Sequence, residues 1–576
     1  MTYKISYKNP HRHFIDIELT IDNIEQEKIM LQLPAWRPGR YQLTNYARNI
    51  QKWKALSAEG ETLPARKLTK DCWEISTCDN SKIIIRYNYY ANELDAGSCL
   101  LDDTQLYINP VNCLLYSPDR MAEPCVLELD IPTDYQVATG LQDAGKNRFE
   151  TKDYHVLVDS PLIASNSLKH NIYHVNNIPF HIWFHGECKP DWFKILANFK
   201  AFTEEQLAAM GDFPFSEYHF LFQIVPHRFH HGVEHLNSCV IALGPSYNLM
   251  KELMYNEFLE ISSHELFHAW NVKSIRPREM MPYDYSRENY SKLGYIAEGL
   301  TTYYGDLFLY RCGCISDFEY FKKLHRLFQK HFHNYGRFNL SVADSSLDLW
   351  LDGYSPGIPD RKTSIYTEGA ICGLMLDLLI RKKTDNKHSL DDVVKKLYND
   401  FGKKEIGVTE NDYQETIETI TGSSFQDFFD NYYNGTEDYE PMLTELLDYT
   451  GLAIRVVRSR QYYENRFGFK IEYNGKPSAT VASIAPGSVA DLAGLQLDDE
   501  IVSVNGLKLN QDLREWCKYF QEEPVDLTVI REDNADTIKL LPSEKRYYRT
   551  RWPEKIDNPT ETQKRNFELW TKRNFE

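Results

Sequence analysis

The chain of 576 residues has no apolar run long enough to cross a bilayer. The most apolar stretch, AICGLMLDLLI from Ala370 to Ile380, is too short and carries Asp377. The opening, MTYKISYKNPHRHF, alternates polar and apolar residues and lacks the ~7–15-residue apolar core of a secretion signal. No long Lys/Arg block occurs, and 65 Lys+Arg against 83 Asp+Glu leave a formal charge of −18. Such a surface repels a phosphate backbone. The expected partners therefore include neither membrane nor nucleic acid. The 11 cysteines are odd in number and scattered, and the CGC at Cys312 and Cys314 has no second pair to complete a metal site. Reduced thiols in a cytoplasmic protein are expected.

Aromatics, by contrast, are plentiful, with 38 Tyr, 29 Phe and 10 Trp. They point to well-packed cores, and the length points to several of them. From Tyr3 to about Leu168 the pattern is strand-like, as in HFIDIELTID and SKIIIRYNYYA, and no long helical period interrupts it. An all-β, sandwich-like domain is expected there. Within it, LPAWRPGRY (Leu33 to Tyr41) reads as a structural turn, with a loop reaching toward an active site as the alternative. From about Pro190 to Tyr449 apolar residues recur every three or four positions, around the strand-like EYHFLFQIV. Short strands with Gly and Pro punctuation return from Phe467 to Leu541, followed by a polar, aromatic tail.

The chemistry concentrates in ISSHELFHAW, Ile261 to Trp270. On a helix, His264 and His268 lie on one face, one turn apart, and can present two imidazoles to one zinc ion. Glu265 sits about 100° round the helix, beside such a metal, where a general base belongs. Chance yields about 0.04 motifs of this kind in a chain of this composition. A third ligand is available in YIAEGLTTYYGDL, which reads as a second helix carrying Glu298. Two His and one Glu leave zinc a fourth position for water, as hydrolysis requires. Trp270 and Asn271 are either supports of the site or core residues. The histidines of PHRFHHGVEH (His227, His230, His231, His235) do not match a tetrahedral set and read as cleft-lining or solvated.

The pair HELFHAWNV and AEGLTTYYGDL resembles the gluzincin metallopeptidases. The wider set resembles the glycyl aminopeptidase family: LPAWRPGRY, HGVEHLNS, HELFHAWNVKSIRP, IYTEGA and the PDZ-like GSVADLAGLQLDDEIVSVNG. That resemblance implies a multidomain α+β chain. Its parts are an N-terminal all-β sandwich-like domain (1–168), a thermolysin-like, mostly helical zinc peptidase domain (169–455), a PDZ-like domain (456–545) and a C-terminal tail (546–576). It implies one Zn2+ per chain, held by His264, His268 and Glu298, with Glu265 as general base. It implies that Glu234 binds the free α-amino group of the substrate and that Tyr366 stabilises the oxyanion. Two places after that tyrosine stands Glu368, where related sequences usually carry Lys. Phe467, Gly468 and Phe469 resemble a PDZ loop that receives a C-terminal carboxylate, so a C-terminal peptide joins peptides with a free N-terminus as a partner. The implied activity is that of a zinc aminopeptidase acting on peptides with small first residues, Gly and Ala. The alternatives are a thermolysin-like endopeptidase and a non-catalytic PDZ-type scaffold.

Overall fold

The alternating FIDIELTI forms the strand Phe14–Ile21, whose Ile15, Ile17, Leu19 and Ile21 are all buried. It lies in a six-stranded sheet ordered Arg148–Thr151, Cys125–Asp130, Thr2–Ser6, Phe14–Ile21, Ile83–Tyr90 and Ile50–Ser57. Only Thr2–Ser6 and Cys125–Asp130 run parallel in it. A four-stranded and a three-stranded sheet complete the β-rich N-terminal part. The helix Tyr154–Val158 departs from the all-strand reading, but it is a single turn capped by Asp153 and too short to leave a helical period. Residues 1–353 and 357–576 are described in this computed structural model. The described chain is multidomain α+β, with a β-rich beginning, a helical middle and a second β-rich region near its end.

Residues 1–315, 346–355 and 387–425 form one compact unit, and the remaining residues form a second. In the first, a mixed sheet runs in the order Lys169–Val175, Ile178–His185, Tyr218–Ile224, Ser238–Gly244, Phe229–Glu234. Its strands Tyr218–Ile224 and Ser238–Gly244 are buried at every residue, as expected when both faces are covered. Like Lys169–Val175 at the other side, Phe229–Glu234 is an antiparallel edge strand. It delivers Glu234 at its end, and Gly232 brings it close to the helix Glu252–Phe267.

In the second unit, helices Asp317–Phe332, Ile365–Lys383 and Tyr439–Tyr449 accompany a small β domain built on Phe469–Glu472, Ala479–Ile484, Glu500–Val504, Val525–Arg531 and Asn534–Leu540. That domain has its own core of Phe467, Phe469, Val481, Ile501, Leu527 and their neighbours. The stretch expected as a tail is folded. Thr550–Lys555 pairs antiparallel with Leu452–Val457, and helix Glu561–Thr571 buries Phe567 and Trp570. Among the described residues, no helix is long and apolar enough to cross a membrane.

Candidate metal centre

Helix Glu252–Phe267 carries His264 in its last turn, and His268 caps it, its N–H donating to His264 O at 3.3 Å. Two buried anchors fix this end. Ser263 Oγ donates to Gly305 O at 2.9 Å, and Trp270 Nε1 donates to Asp212 O at 2.8 Å. Gly305 permits a close helix approach, since a Cβ there would lie 3.2 Å from His264 Cα.

The second helix does not begin as an α-helix. Tyr295–Leu300 forms a π-type turn, with Glu298 inside it, and Thr301–Arg311 continues as α. Asn271 holds this turn. Its Nδ2 donates to Ile296 O at 2.8 Å and Thr301 Oγ1 at 2.9 Å, with Ala297 O at 3.4 Å. The backbone of the same residue serves the first helix, because His268 Nδ1 lies 2.8 Å from Asn271 O. A carbonyl can only accept, so Nδ1 carries the proton and Nε2 faces Glu298. Asn271 therefore supports the cluster from both helices, and Trp270 is core.

His264, His268 and Glu298 converge. Their Nε2 atoms are 3.1 Å apart and lie 3.5 and 3.4 Å from Glu298 Oε2. Ligands about 2.0–2.1 Å from a tetrahedral zinc would stand about 3.3 Å from one another, so the spacing fits. The donor set also fits. Burial alone would raise Glu298, but the charge of His268 and hydrogen bonds from both imidazoles hold it down to about 2. Burial disfavours charge on His268, yet Glu298 lifts it to about 9, while burial pushes His264 down. Two Nε2 atoms this close can share only one proton, and a dication satisfies both lone pairs and the carboxylate together.

Glu265 and Glu234 stand beside this set. One ligand atom from each of Glu234, Glu265 and His268 falls within 4.8 Å of the others, and all three residues are buried. Burial, opposed by His268 and helped by Glu234 and Glu298, pushes Glu265 up to about 8. Its Oε2 is buried and has no hydrogen-bond partner among the described residues. A nearby dication would favour its ionised form. Two glycines make room for the carboxylates. A Cβ on Gly232 would lie 2.2 Å from Glu265 Oε1, and one on Gly39 would lie 2.4 Å from Glu234 Oε2. Gly39 also has φ +78°, a left-handed conformation that favours glycine. It belongs to LPAWRPGRY, which is thus a loop reaching the site and not only a turn. Trp36 anchors that loop, its Nε1 donating to Asp284 O at 2.8 Å and its ring set edge-on to Trp350.

Tyr366 lies in the second unit, half-buried in the first turn of Ile365–Lys383, which Ser364 caps. Glu368 is buried one turn into the same helix, and His331 Nδ1 hydrogen-bonds its Oε2. Its charge is therefore partnered locally. Phe467 and Phe469 point into the small domain's core, and Gly468 between them has φ +82°. The Gly468 N–H already donates to Tyr463 O at 2.9 Å, and Arg466 O and Asn465 O accept from the N–H groups of Ser543 and Tyr547.

The imidazole-rich stretch divides. His231 Nδ1 accepts from Ala96 N at 3.3 Å, whereas His235 is buried against Asp159 at 3.0 Å. Asp159 also takes the buried Lys273 at 2.9 Å, a triad that sequence reasoning missed because its members are far apart in the chain. His181, Glu217 and His219 also cluster. There Trp183 Nε1 donates to His219 Nδ1 at 3.2 Å, which leaves the proton on Nε2, facing Glu217 at 3.6 Å. That is an imidazole–carboxylate pair and not a ligand set.

Residues 2–166 match the model of the peptidase M61 N-terminal domain, 257–372 that of the M61 glycyl aminopeptidase, and 480–531 that of a PDZ domain. The chain is similar to the solved structure of an aminopeptidase N family protein from Idiomarina loihiensis, at 25% identity and TM-score 0.90, with 99% of each chain covered. Over 79 residues it is 39% identical to 26S proteasome non-ATPase regulatory subunit 9 of Mus musculus, and over 88 residues 38% identical to that of Homo sapiens. These matches take in 13% and 14% of this chain, and the chain spans about a third of the length of these curated relatives, 32% and 36%. With a matched N-terminal domain, a matched catalytic segment and a full-length structural likeness, the chain belongs to the M61 glycyl aminopeptidase family.

Proposed function

We propose that the protein is a zinc-dependent aminopeptidase that hydrolyses the first peptide bond of peptides with a free N-terminus. The observation that carries the reading is the convergence of half-buried His264 with buried His268, Glu298, Glu265 and Glu234 in one cluster. His264, His268 and Glu298 would hold one zinc ion per chain. When bound, zinc acts as a Lewis acid and makes water nucleophilic near neutral pH.

The chain's own groups do the rest. Glu234 pairs with the substrate's α-ammonium and so fixes which carbonyl is presented. Glu265 takes a proton from the attacking water as the C–O bond forms. It returns that proton to the departing amine nitrogen as the C–N bond breaks. Tyr366 donates a hydrogen bond to the oxyanion, a role assigned from its motif and not from its placement. Preference for Gly as first residue rests on the family description, and that for Ala on the motif resemblance. The functional division is 1–168, 169–455, 456–545 and 546–576, and the 11 free thiols support a cytoplasmic location. A C-terminal peptide in the PDZ module would have to use N–H groups other than that of Gly468.

An endopeptidase would need Glu234 turned from the cluster, and a scaffold would not need Glu265 at all. Metal analysis with activity on aminoacyl amides tests the proposal. About one zinc per chain, loss of rate on chelation and recovery on adding zinc are expected. Full activity in metal-free protein would sink it.

A further inference from the structure

Arginines 37, 40 and 48 line one polar cavity of about 250 Å³ in the first unit, and Glu93 is the acid among its lining residues. Among the described residues, none of the three guanidiniums takes part in an ion pair. Arg37 is 3% exposed, and its side chain donates to Pro38 O at 3.3 Å. It is wedged in place, since a Cβ on Gly97 would lie 2.2 Å from its Nε. Arg40 gives Nε and Nη2 to Gln42 Oε1, at 3.2 and 3.1 Å. Arg48 is exposed, on the short turn Tyr46–Asn49. Nearby, Lys70 Nζ adds a further cation, held by Asn45 Oδ1 at 2.5 Å.

Desolvating a guanidinium is costly unless it gains a charged partner, and three such groups on one cavity repel one another. Half-buried Asp95 feels the charge of Arg37 but lies toward His231 at 3.9 Å, and it forms no ion pair with any of the three arginines. We propose that this cavity is a binding site for a small oxyanion, a carboxylate or a phosphate. The planar fork of arginine matches both, two N–H groups to two oxygens. The volume is below the ~300–1,000 Å³ of drug-sized ligand pockets, which favours a compact anion over a nucleotide. The cavity adjoins the metal centre, since the Arg37 charge reaches Glu265, but neither Glu234 nor the zinc-binding residues line it. It also does not depend on the aminopeptidase reading.

Calorimetric titration of the full chain with sodium phosphate, and separately with succinate, at constant ionic strength tests the proposal without any turnover. Saturable binding to wild type is expected, weakened about tenfold by Arg40→Gln and further by adding Arg48→Gln, since each removes a charge-assisted bond. Arg48 is at the surface, so Arg48→Gln alone serves if Arg40→Gln misfolds. No saturable binding of either anion by wild type, or unchanged affinity in both variants, overturns the site. The source of the anion is read by competition in a Glu265→Gln background, which keeps peptides intact. If triglycine displaces phosphate and its C-terminal amide does not, the site receives the substrate's carboxylate. If neither displaces phosphate, it receives a free anion.

Discussion

Asn271→Ala should damage the metal centre without touching a proposed ligand. The side-chain amide of Asn271 is the clamp between the two helices, holding Ile296 O at 2.8 Å and Thr301 Oγ1 at 2.9 Å. Ala297 O keeps another donor, because Thr301 Oγ1 reaches it at 2.6 Å. The loss therefore falls on Ile296 O, buried and deprived of its side-chain donor, at a cost of about 1–3 kcal/mol. The π-type turn that carries Glu298 loses its fixed position. Groups that orient metal ligands in this way are worth about 10–100-fold in metal affinity, or ~1.4–2.7 kcal/mol. Thermal unfolding of the zinc-free variant reads the first quantity, and competition with a chromogenic chelator reads the second. Asn271→Asp should be worse, since it sets a carboxylate against carbonyl oxygens. Zinc affinity within twofold of wild type, together with unchanged stability, would refute the clamp.

Glu265→Gln should lower kcat by about 10²–10⁴-fold while zinc stays near one per chain, measured by metal analysis beside turnover. Glu298→Ala should lose stoichiometric zinc, and a variant that keeps both metal and rate would place the third ligand elsewhere. Gly39→Ala should lower kcat/KM for free amino-terminal substrates with zinc content unchanged, because its Cβ would press on Glu234 from a left-handed backbone. Lys273→Met should cost about 3–5 kcal/mol in urea unfolding at pH 7, because the mostly buried Asp159 loses its ammonium and keeps only His235. Burial raises Asp159, but Lys273 and His235 outweigh it and depress the carboxyl below 3.8. Its pairing therefore stabilises the fold above that pH and is lost as pH falls through the depressed value. The gap between wild type and Lys273→Met should narrow as pH drops below about 4, and a constant gap would contradict the pairing.

The part of the site written in short range was legible in the sequence. His264, Glu265 and His268 need only the helical period, and Glu298 needs only a second helix nearby. What one spacing cannot encode is how distant segments meet. Gly39 and Glu234 are almost 200 residues apart, and only the folded chain shows that the glycine makes room for the carboxylate. Asp159 and Lys273 each look like solvated charges until the fold buries them together. The π-type turn at Glu298 leaves no sequence mark, because its residues suit an ordinary helix equally well. The polar composition of the last residues concealed that Thr550–Lys555 completes a sheet with Leu452–Val457.

The central claim, that the cluster reads a free amino terminus, is tested most directly by pairing each substrate with its acetylated form. Glycyl and alanyl reporter amides would be assayed beside N-acetylglycyl and N-acetylalanyl amides, with wild type and Glu234→Gln. Acetylation removes the ammonium and leaves the buried Glu234 without its partner, so rejection should be strong. Wild type is expected to cleave the free amides and essentially none of the acetylated ones. Glu234→Gln should lose kcat/KM on the free amides and narrow the gap between the two sets. Equal rates on acetylated and free substrates by wild type would contradict amino-terminal recognition and favour an endopeptidase.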